Sequence, residues 1–124
     1  LYAASTFLHE RVVALHGAMV AAGLESPFAD WIEGGRMRPQ APHARVRCAD
    51  TFARRDAALL AHASQVDPDG LWFAVPRDVE RDVYPYEAYE LLWSLVATDV
   101  PEDDLFAGLD VAAWDAAQTP RSSR

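Results

Sequence analysis

Two different hydrophobic periods occur early in the chain, and together they restrict it to folds that mix helices with strands. In residues 8–22 the apolar side chains recur every three or four positions, at Leu8, Val12, Leu15, Met19 and Ala22. This spacing predicts a helix with one buried face, and Gly23 is suited to end it. In HARVRCA, residues 43–49, apolar and polar side chains alternate, which predicts a half-buried strand. We therefore predict an α/β chain of helices and short strands.

Further short elements are predicted in the first half of the chain. Residues 1–7 have the composition of a short strand or the end of one. Ser26 is suited to cap a short helix in residues 27–33, PFADWIE, with Pro27 at its first position. Two glycines and two prolines in residues 34–42 predict a loop between this helix and the strand that follows.

The second half of the chain carries comparable signals. Asp50 or Thr51 is suited to cap a long helix that follows the strand, and a turn is predicted at residues 67–70. Prolines flank a predicted short helix over residues 77–84. Residues 86–96, YEAYELLWSLV, fit a helix or a strand, and their aromatic content favours the strand.

Composition and charge argue against several classes of function. The net charge of −8 and the pI of about 4.8 disfavour binding to nucleic-acid phosphates and to anionic membrane surfaces. No apolar stretch approaches the roughly 20 residues of a membrane span, and no signal peptide is visible. With Cys48 as its one cysteine, the chain has no intrachain disulfide, which predicts a reducing compartment, the cytoplasm. Because it begins with Leu1, we expect a piece of a longer protein.

The sequence offers no set of residues that would hold a metal ion. His9 and His16 are seven positions apart on the predicted helix, which separates them by roughly 10 Å along its axis. Neither an HExxH nor a CxxC motif occurs. Cys48 lies on the apolar side of its strand and is predicted to be a buried structural thiol, whereas Asp103 and Asp104 are predicted to be solvated. We therefore predict neither a catalytic residue nor a metal ligand within this chain.

The long helix predicted in RRDAALLAHASQVDPDG, residues 54–70, is the most informative stretch. On a helical wheel, the apolar side is formed by Phe52, Leu59, Ala63 and Val66. Asp56 falls inside that apolar side, which predicts a buried partner such as an arginine. One flank combines Arg55, His62 and Gln65. From the residues alone, this flank is either a solvated surface or a polar stripe that lines a pocket.

Residues 55–65, read as Arg-x-x-Ala-Leu-x-x-His-x-Ser-Gln, resemble the C-terminal signature of the LmbE-like, PIG-L-type zinc N-deacetylases. Other segments resemble the same region of that family in the same order, namely FLHER, PFADW, VRCADTFARRDAALLAHASQVDP, the step from Phe73 to Pro76, YPYEAYEL and DLFAG. The resemblance identifies residues 1–108 as the C-terminal region of such a hydrolase domain. Residues 109–124 are predicted to be an acidic extension rich in small residues, with a disordered end.

The resemblance implies a Rossmann-like α/β hydrolase fold and a catalytic zinc ion. In that family the zinc ligands come from a His-Pro-Asp-Asp run and a later His-x-x-His, and neither occurs here. We therefore expect the zinc ligands and catalytic residues upstream, in an N-terminal zinc-bearing part of the same enzyme. The present chain is expected to add one wall of the substrate pocket through Gln65, then His62, with Arg55 more suited to ordering the structure by pairing with a carboxylate.

The substrate implied by the resemblance is a small thiol conjugate. The whole enzyme would hydrolyse the amide bond of mycothiol S-conjugates, a detoxification reaction. Two alternatives remain open. One is a deacetylase of the same family that acts on a GlcNAc-inositol or an antibiotic sugar, and the other is a non-catalytic interaction module that lacks the zinc site.

Overall fold

A small antiparallel sheet and four α-helices make up the part of the chain that the structure, a computed structural model, describes: residues 1–35, 37 and 39–110. In chain order the elements are β1 (Tyr2–Ala4), α1 (His9–Ala21), α2 (Ala29–Glu33), β2 (Ala44–Arg47), α3 (Phe52–Leu60), α4 (Arg77–Val83) and β3 (Tyr86–Leu91). A 3-10 turn at Ala49–Thr51 leads directly into α3. The predicted mixture of helices and short strands is confirmed, including the strand predicted in YEAYELLWSLV.

The sheet has the strand order β1-β3-β2, so β3 lies in the centre. Tyr89 pairs with Ala4 on one side and with Ala44 on the other. The outer edge of β2 is occupied by Glu102, whose main chain bonds to residues on both sides of Ala44 at 2.9 Å. Within the described residues, no strand pairs with the outer edge of β1.

The hydrophobic core forms where α1 meets α4 and the segment around α2. The predicted stripe of α1 is confirmed at Val12, Leu15 and Met19, which are all nearly inaccessible to solvent. They pack with Phe28, Val75 and Tyr84. The prediction that Ala22 shares this buried face is wrong, because Ala22 follows the last residue of α1 and is exposed.

Side-chain capping was predicted at two helices and is wrong at both. Residue Phe28 occupies the N-cap position of α2, and Ser26 instead accepts a hydrogen bond from the Phe28 backbone N–H at 3.3 Å. Thr51 occupies the N-cap position of α3 without a side-chain cap, and its hydroxyl donates backwards to the Cys48 carbonyl at 2.8 Å. The 3-10 turn that precedes α3 takes the place of a capping side chain.

Helix α3 ends at Leu60, so the long helix predicted over the following residues is wrong. The chain continues in a series of turns, in which the N–H of Gln65 and of Val66 both donate to the His62 carbonyl, at 2.8 and 2.9 Å. Two causes favour this early end. The residues that would continue the helix are exposed, so packing does not stabilise it, and Pro68 disfavours helical geometry in the residue before it. The turn predicted at residues 67–70 is confirmed, with Asp69 N–H bonded to the Asp67 carboxylate at 2.9 Å.

The C-terminal extension is described only at Leu109 and Asp110, which are both exposed. The predicted disorder at its end falls on residues 111–124, outside the described residues. Across the described helices, none combines the length and the apolar character needed to cross a membrane.

Candidate functional site

A buried carboxylate on α4 joins three helices of the chain. The side chain of Glu80 is fully buried and accepts hydrogen bonds from three arginines. Arg11 of α1 donates at 2.6 Å, Arg55 of α3 at 2.9 Å and Arg77 of α4 at 2.7 Å. Because Arg11 lies on α1 and Arg55 on α3, this one carboxylate ties both helices to α4.

Two further carboxylates balance the charge of the arginines. Asp56 accepts from Arg77 Nε at 2.7 Å, which confirms the prediction that an arginine compensates this acid on the apolar side of α3. Glu87 of β3 accepts from Arg55 Nη1 at 2.9 Å. The Arg55 guanidinium also lies over the Phe52 ring, 4.1 Å from its centroid. Arg55 therefore orders the fold, as its expected pairing with a carboxylate implied.

The pairing keeps both Glu80 and Arg55 charged. Burial raises the pKa of Glu80, but the hydrogen bonds from Arg55 and Arg11 outweigh burial and bring the pKa below its usual value of 4.5. Burial likewise lowers the pKa of Arg55, and its hydrogen bonds to Glu80 and Glu87 more than reverse that effect. Both groups are charged at neutral pH, so neither is suited to general acid–base catalysis there.

A cavity of about 240 Å³ opens beside the cluster. Its lining includes Thr6, Arg11, Arg55, Leu59, Trp72 and Arg77. Within the described residues, the Nε of Arg11 is buried and has no hydrogen-bond partner. The cavity therefore places two apolar side chains, Leu59 and Trp72, beside the charged cluster.

The structure separates the three predicted substrate-binding residues. Arg55 lies in the ion-pair cluster, whereas His62 and Gln65 lie in the turns beyond α3 and are exposed. The amide of Gln65 approaches Ser64 Oγ at 3.4 Å. The interpretation that these residues form one helical flank is wrong, because the helix ends before two of them. Their predicted role in substrate binding stays a prediction.

A second, larger cavity of about 660 Å³ lies between α1, the sheet and the segment around Glu102. Its wall carries Glu10, which accepts from Arg45 Nε at 3.0 Å and from the Tyr84 hydroxyl at 2.7 Å. The hydrogen bond from Arg45 holds the pKa of Glu10 below its usual value, more strongly than burial raises it. Sequence reasoning missed this cavity, although Arg45 on the polar side of a predicted strand was a signal for a nearby carboxylate.

The described residues do not fit a zinc site. Among them, no group of three or more His, Cys, Asp or Glu side chains is placed to hold a metal ion. Cys48, predicted to be a buried thiol, is only half-buried, and burial raises its pKa. Asp103 and Asp104 are exposed, as predicted.

Comparison with known proteins reveals two groups of relatives. The chain is 48% identical over 106 residues to the mycothiol S-conjugate amidase of Streptomyces coelicolor, a match that covers 83% of the chain and 36% of the amidase. It is 40% identical over 97 residues to the 1D-myo-inositol 2-acetamido-2-deoxy-alpha-D-glucopyranoside deacetylase of Geodermatophilus obscurus, covering 74% of the chain and 33% of the deacetylase.

No family model matches the chain, and no solved structure matches it. The chain spans about a third of the length of the curated relatives it matches. The resemblance predicted from the sequence motifs is confirmed at the level of these relatives: the chain is a homologue of the C-terminal portion of mycothiol S-conjugate amidase and of the inositol-linked deacetylases.

Proposed function

We propose that this chain is the C-terminal part of a zinc-dependent amidase that hydrolyses the amide bond of mycothiol S-conjugates in the cytoplasm. The observation that supports the proposal most is the identity of 48% with the amidase over 106 residues. The deacetylase relatives match less of the chain, at 40% identity over 97 residues. We therefore rank the amide bond of a thiol conjugate above an N-acetyl group as the scissile bond.

The proposed complete enzyme has the Rossmann-like fold of the LmbE-like, PIG-L-type hydrolases. In this proposal the three-stranded sheet and α1 to α4 form its C-terminal region. The preceding part of the polypeptide adds the remaining strands and holds the zinc ion. No zinc ligand is assigned to the described residues, since no cluster suited to a metal occurs among them.

The role proposed for the present chain is to form one wall of the substrate pocket. His62 and Gln65 are suited to this role because their side chains are exposed and carry both donors and acceptors for a polyhydroxylated substrate. Arg55 is assigned a positioning role. Through Glu80 and Glu87 it fixes α3, and the turn that carries Gln65 follows α3 directly.

A deacetylase that acts on GlcNAc-inositol is the second candidate, and the deacetylase relatives favour it. The two reactions differ in the acyl group that is removed from the glucosamine nitrogen. The deacetylase releases acetate from a glucosamine nitrogen, whereas the amidase releases a substituted N-acetylcysteine from the same kind of nitrogen. Residues on the pocket wall that contact the thiol substituent would therefore matter for the amidase only.

The test uses the complete protein that contains residues 1–124, purified with zinc. It is assayed by chromatography against a mycothiol S-conjugate and against GlcNAc-inositol. We expect kcat/KM to be higher for the conjugate. A preference for GlcNAc-inositol would establish the second candidate. A protein that neither retains zinc nor hydrolyses either compound would favour the interaction module. We also expect the gene to encode a His-Pro-Asp-Asp run before Leu1.

A further inference from the structure

The cavity of about 240 Å³ beside the ion-pair cluster has an exposed aromatic residue in its wall. Trp72 is 41% exposed, although its ring packs against Phe7 with 5.5 Å between the ring centroids. Leu59, in the last turn of α3, supplies the second apolar side chain of this wall. A concave surface that combines large apolar side chains with a few polar groups is the usual form of a small-molecule site.

The charged groups in and behind this wall compensate one another. Three guanidinium groups and three carboxylates form one connected set of ion pairs, namely Arg11, Arg55, Arg77, Asp56, Glu80 and Glu87. Because their formal charges sum to zero, the cluster offers no net charge that would attract an anion or a cation. The apolar surface of Leu59 and Trp72 is then what selects a ligand group, and it favours one that is neutral and apolar.

Trp72 is held in a fixed position relative to α3. The Arg77 guanidinium connects the two, since it donates from Nη2 to the Trp72 carbonyl and from Nε to Asp56 of α3, both at 2.7 Å. Leu59 lies one helical turn after Asp56 on the same helix. The apolar wall is therefore preformed, and a ligand group that enters the cavity does not have to pay the entropy of ordering it.

The cavity adjoins the turn that is proposed to contact the substrate, so this step rests on the proposed function. The N–H of His62 donates to the carbonyl of Leu59 at 3.0 Å, and the N–H of Gln65 donates to the carbonyl of His62 at 2.8 Å. A volume of about 240 Å³ is below the roughly 300–1,000 Å³ of a site for a whole ligand, whereas roughly 150 Å³ is enough for benzene. The cavity therefore fits one group of the substrate.

We propose that this cavity binds the substituent on the sulfur atom of the thiol conjugate and favours neutral, aromatic substituents. Trp72 and Leu59 contact the substituent, while the turn of His62 and Gln65 contacts the polar remainder of the conjugate. GlcNAc-inositol carries no such substituent, so the cavity contributes nothing to its deacetylation. Trp72 is accordingly a specificity-determining residue of the proposed amidase.

The test compares two conjugates in the full-length, zinc-loaded protein, one with a methyl group and one with a benzyl group on sulfur. In the wild type we expect kcat/KM to be higher for the benzyl conjugate. Trp72→Ala removes the ring that the benzyl group contacts, so this preference should fall at least about tenfold. Trp93→Ala is the matched control, because Trp93 is 60% exposed, follows β3 and lies outside the lining of the cavity. It should leave the preference unchanged.

The preference is a ratio of two kcat/KM values, so a smaller fraction of folded protein does not change it. Trp72→Leu keeps an apolar side chain that supports folding but lacks a ring, and the preference should fall in this variant as well. An equal loss of kcat/KM for both conjugates in the Trp72 variants would overturn the proposal, as would a wild type without a preference for the benzyl group. A wild type that cleaves neither conjugate would instead remove the proposed function, and the subsite with it.

Discussion

Helices α1 and α3 have similar apolar patterns in the sequence, but the structure fixes them in different ways. Helix α1 buries Val12, Leu15 and Met19 in the hydrophobic core. Within α3, Phe52 is the one buried residue, and the helix is attached largely through the ion pairs of Arg55 and Asp56. An apolar stripe therefore predicts which side of a helix faces the rest of the fold, but it does not tell whether apolar contacts or ion pairs hold the helix there.

The largest effect is expected from removing the central carboxylate of the ion-pair cluster. Glu80→Gln in the full-length protein leaves three guanidinium groups around a neutral amide, and breaking a buried pair in this way costs about 3–5 kcal/mol. Urea unfolding measures the loss. Glu25→Gln, at an exposed position, is the control and should be neutral. A Glu80→Gln protein as stable as wild type would show that ion pairs do not hold α3.

The contribution of apolar packing to stability is tested in α1. Leu15 is 2% exposed, and Leu15→Ala should cost about 2–5 kcal/mol through the lost contacts and the cavity that remains. Val13 lies on the outer side of α1 and is exposed, so Val13→Ala should change the free energy of unfolding by less than about 1 kcal/mol. If both variants lost the same stability, the distinction between the two sides of α1 would have no energetic basis.

As the pH falls, α3 should lose hydrogen-exchange protection before α1 does. The folded-state pKa of Glu80 lies below its usual value of 4.5, so its ionised form contributes stability above pH 4.5, and this contribution is lost as the pH falls through the folded-state pKa. Below pH 4.5, hydrogen-exchange protection, corrected for intrinsic rates, should fall in α3 while α1 stays protected. In Glu80→Gln the protection of α3 should be low already at neutral pH. Simultaneous loss in both helices of the wild type would contradict this order.

The smallest effect concerns the turn after α3. In the complete enzyme, Gln65→Ala should remove one hydrogen bond to substrate, about 0.5–1.5 kcal/mol, which lowers kcat/KM roughly three- to tenfold. Because Gln65 is exposed and approaches only Ser64 among the described residues, Tm should not change. Ser64→Ala controls for a local effect on the turn. Unchanged kinetics for Gln65→Ala would assign the turn to the solvated surface.

Sequence reasoning succeeded where local pattern and burial agree. The period of α1 and the alternation in β2 each place apolar residues on the covered side of their element, and two prolines mark the ends of α4. All three elements are confirmed. It failed at the end of α3, because the continuation of a helix depends on tertiary packing that the residues after Leu60 do not find among the described residues.

The candidate site was predictable only in part. Asp56 lies on the apolar side of its helix, and this position predicted that it pairs with an arginine, which the structure confirms. The convergence of Arg11, Arg55 and Arg77 on Glu80 could not be foreseen, since it depends on how three helices pack. The same holds for Arg45 and Glu10, which are 35 positions apart in the chain.

The segment at Glu102 that bonds to the outer edge of β2 also limits how the sheet can grow. Of the two outer edges, the described residues leave only that of β1 open. Any strand that the remainder of the polypeptide adds to this sheet would therefore pair with β1. Growth of the sheet at β2 would first require Glu102 to leave that strand.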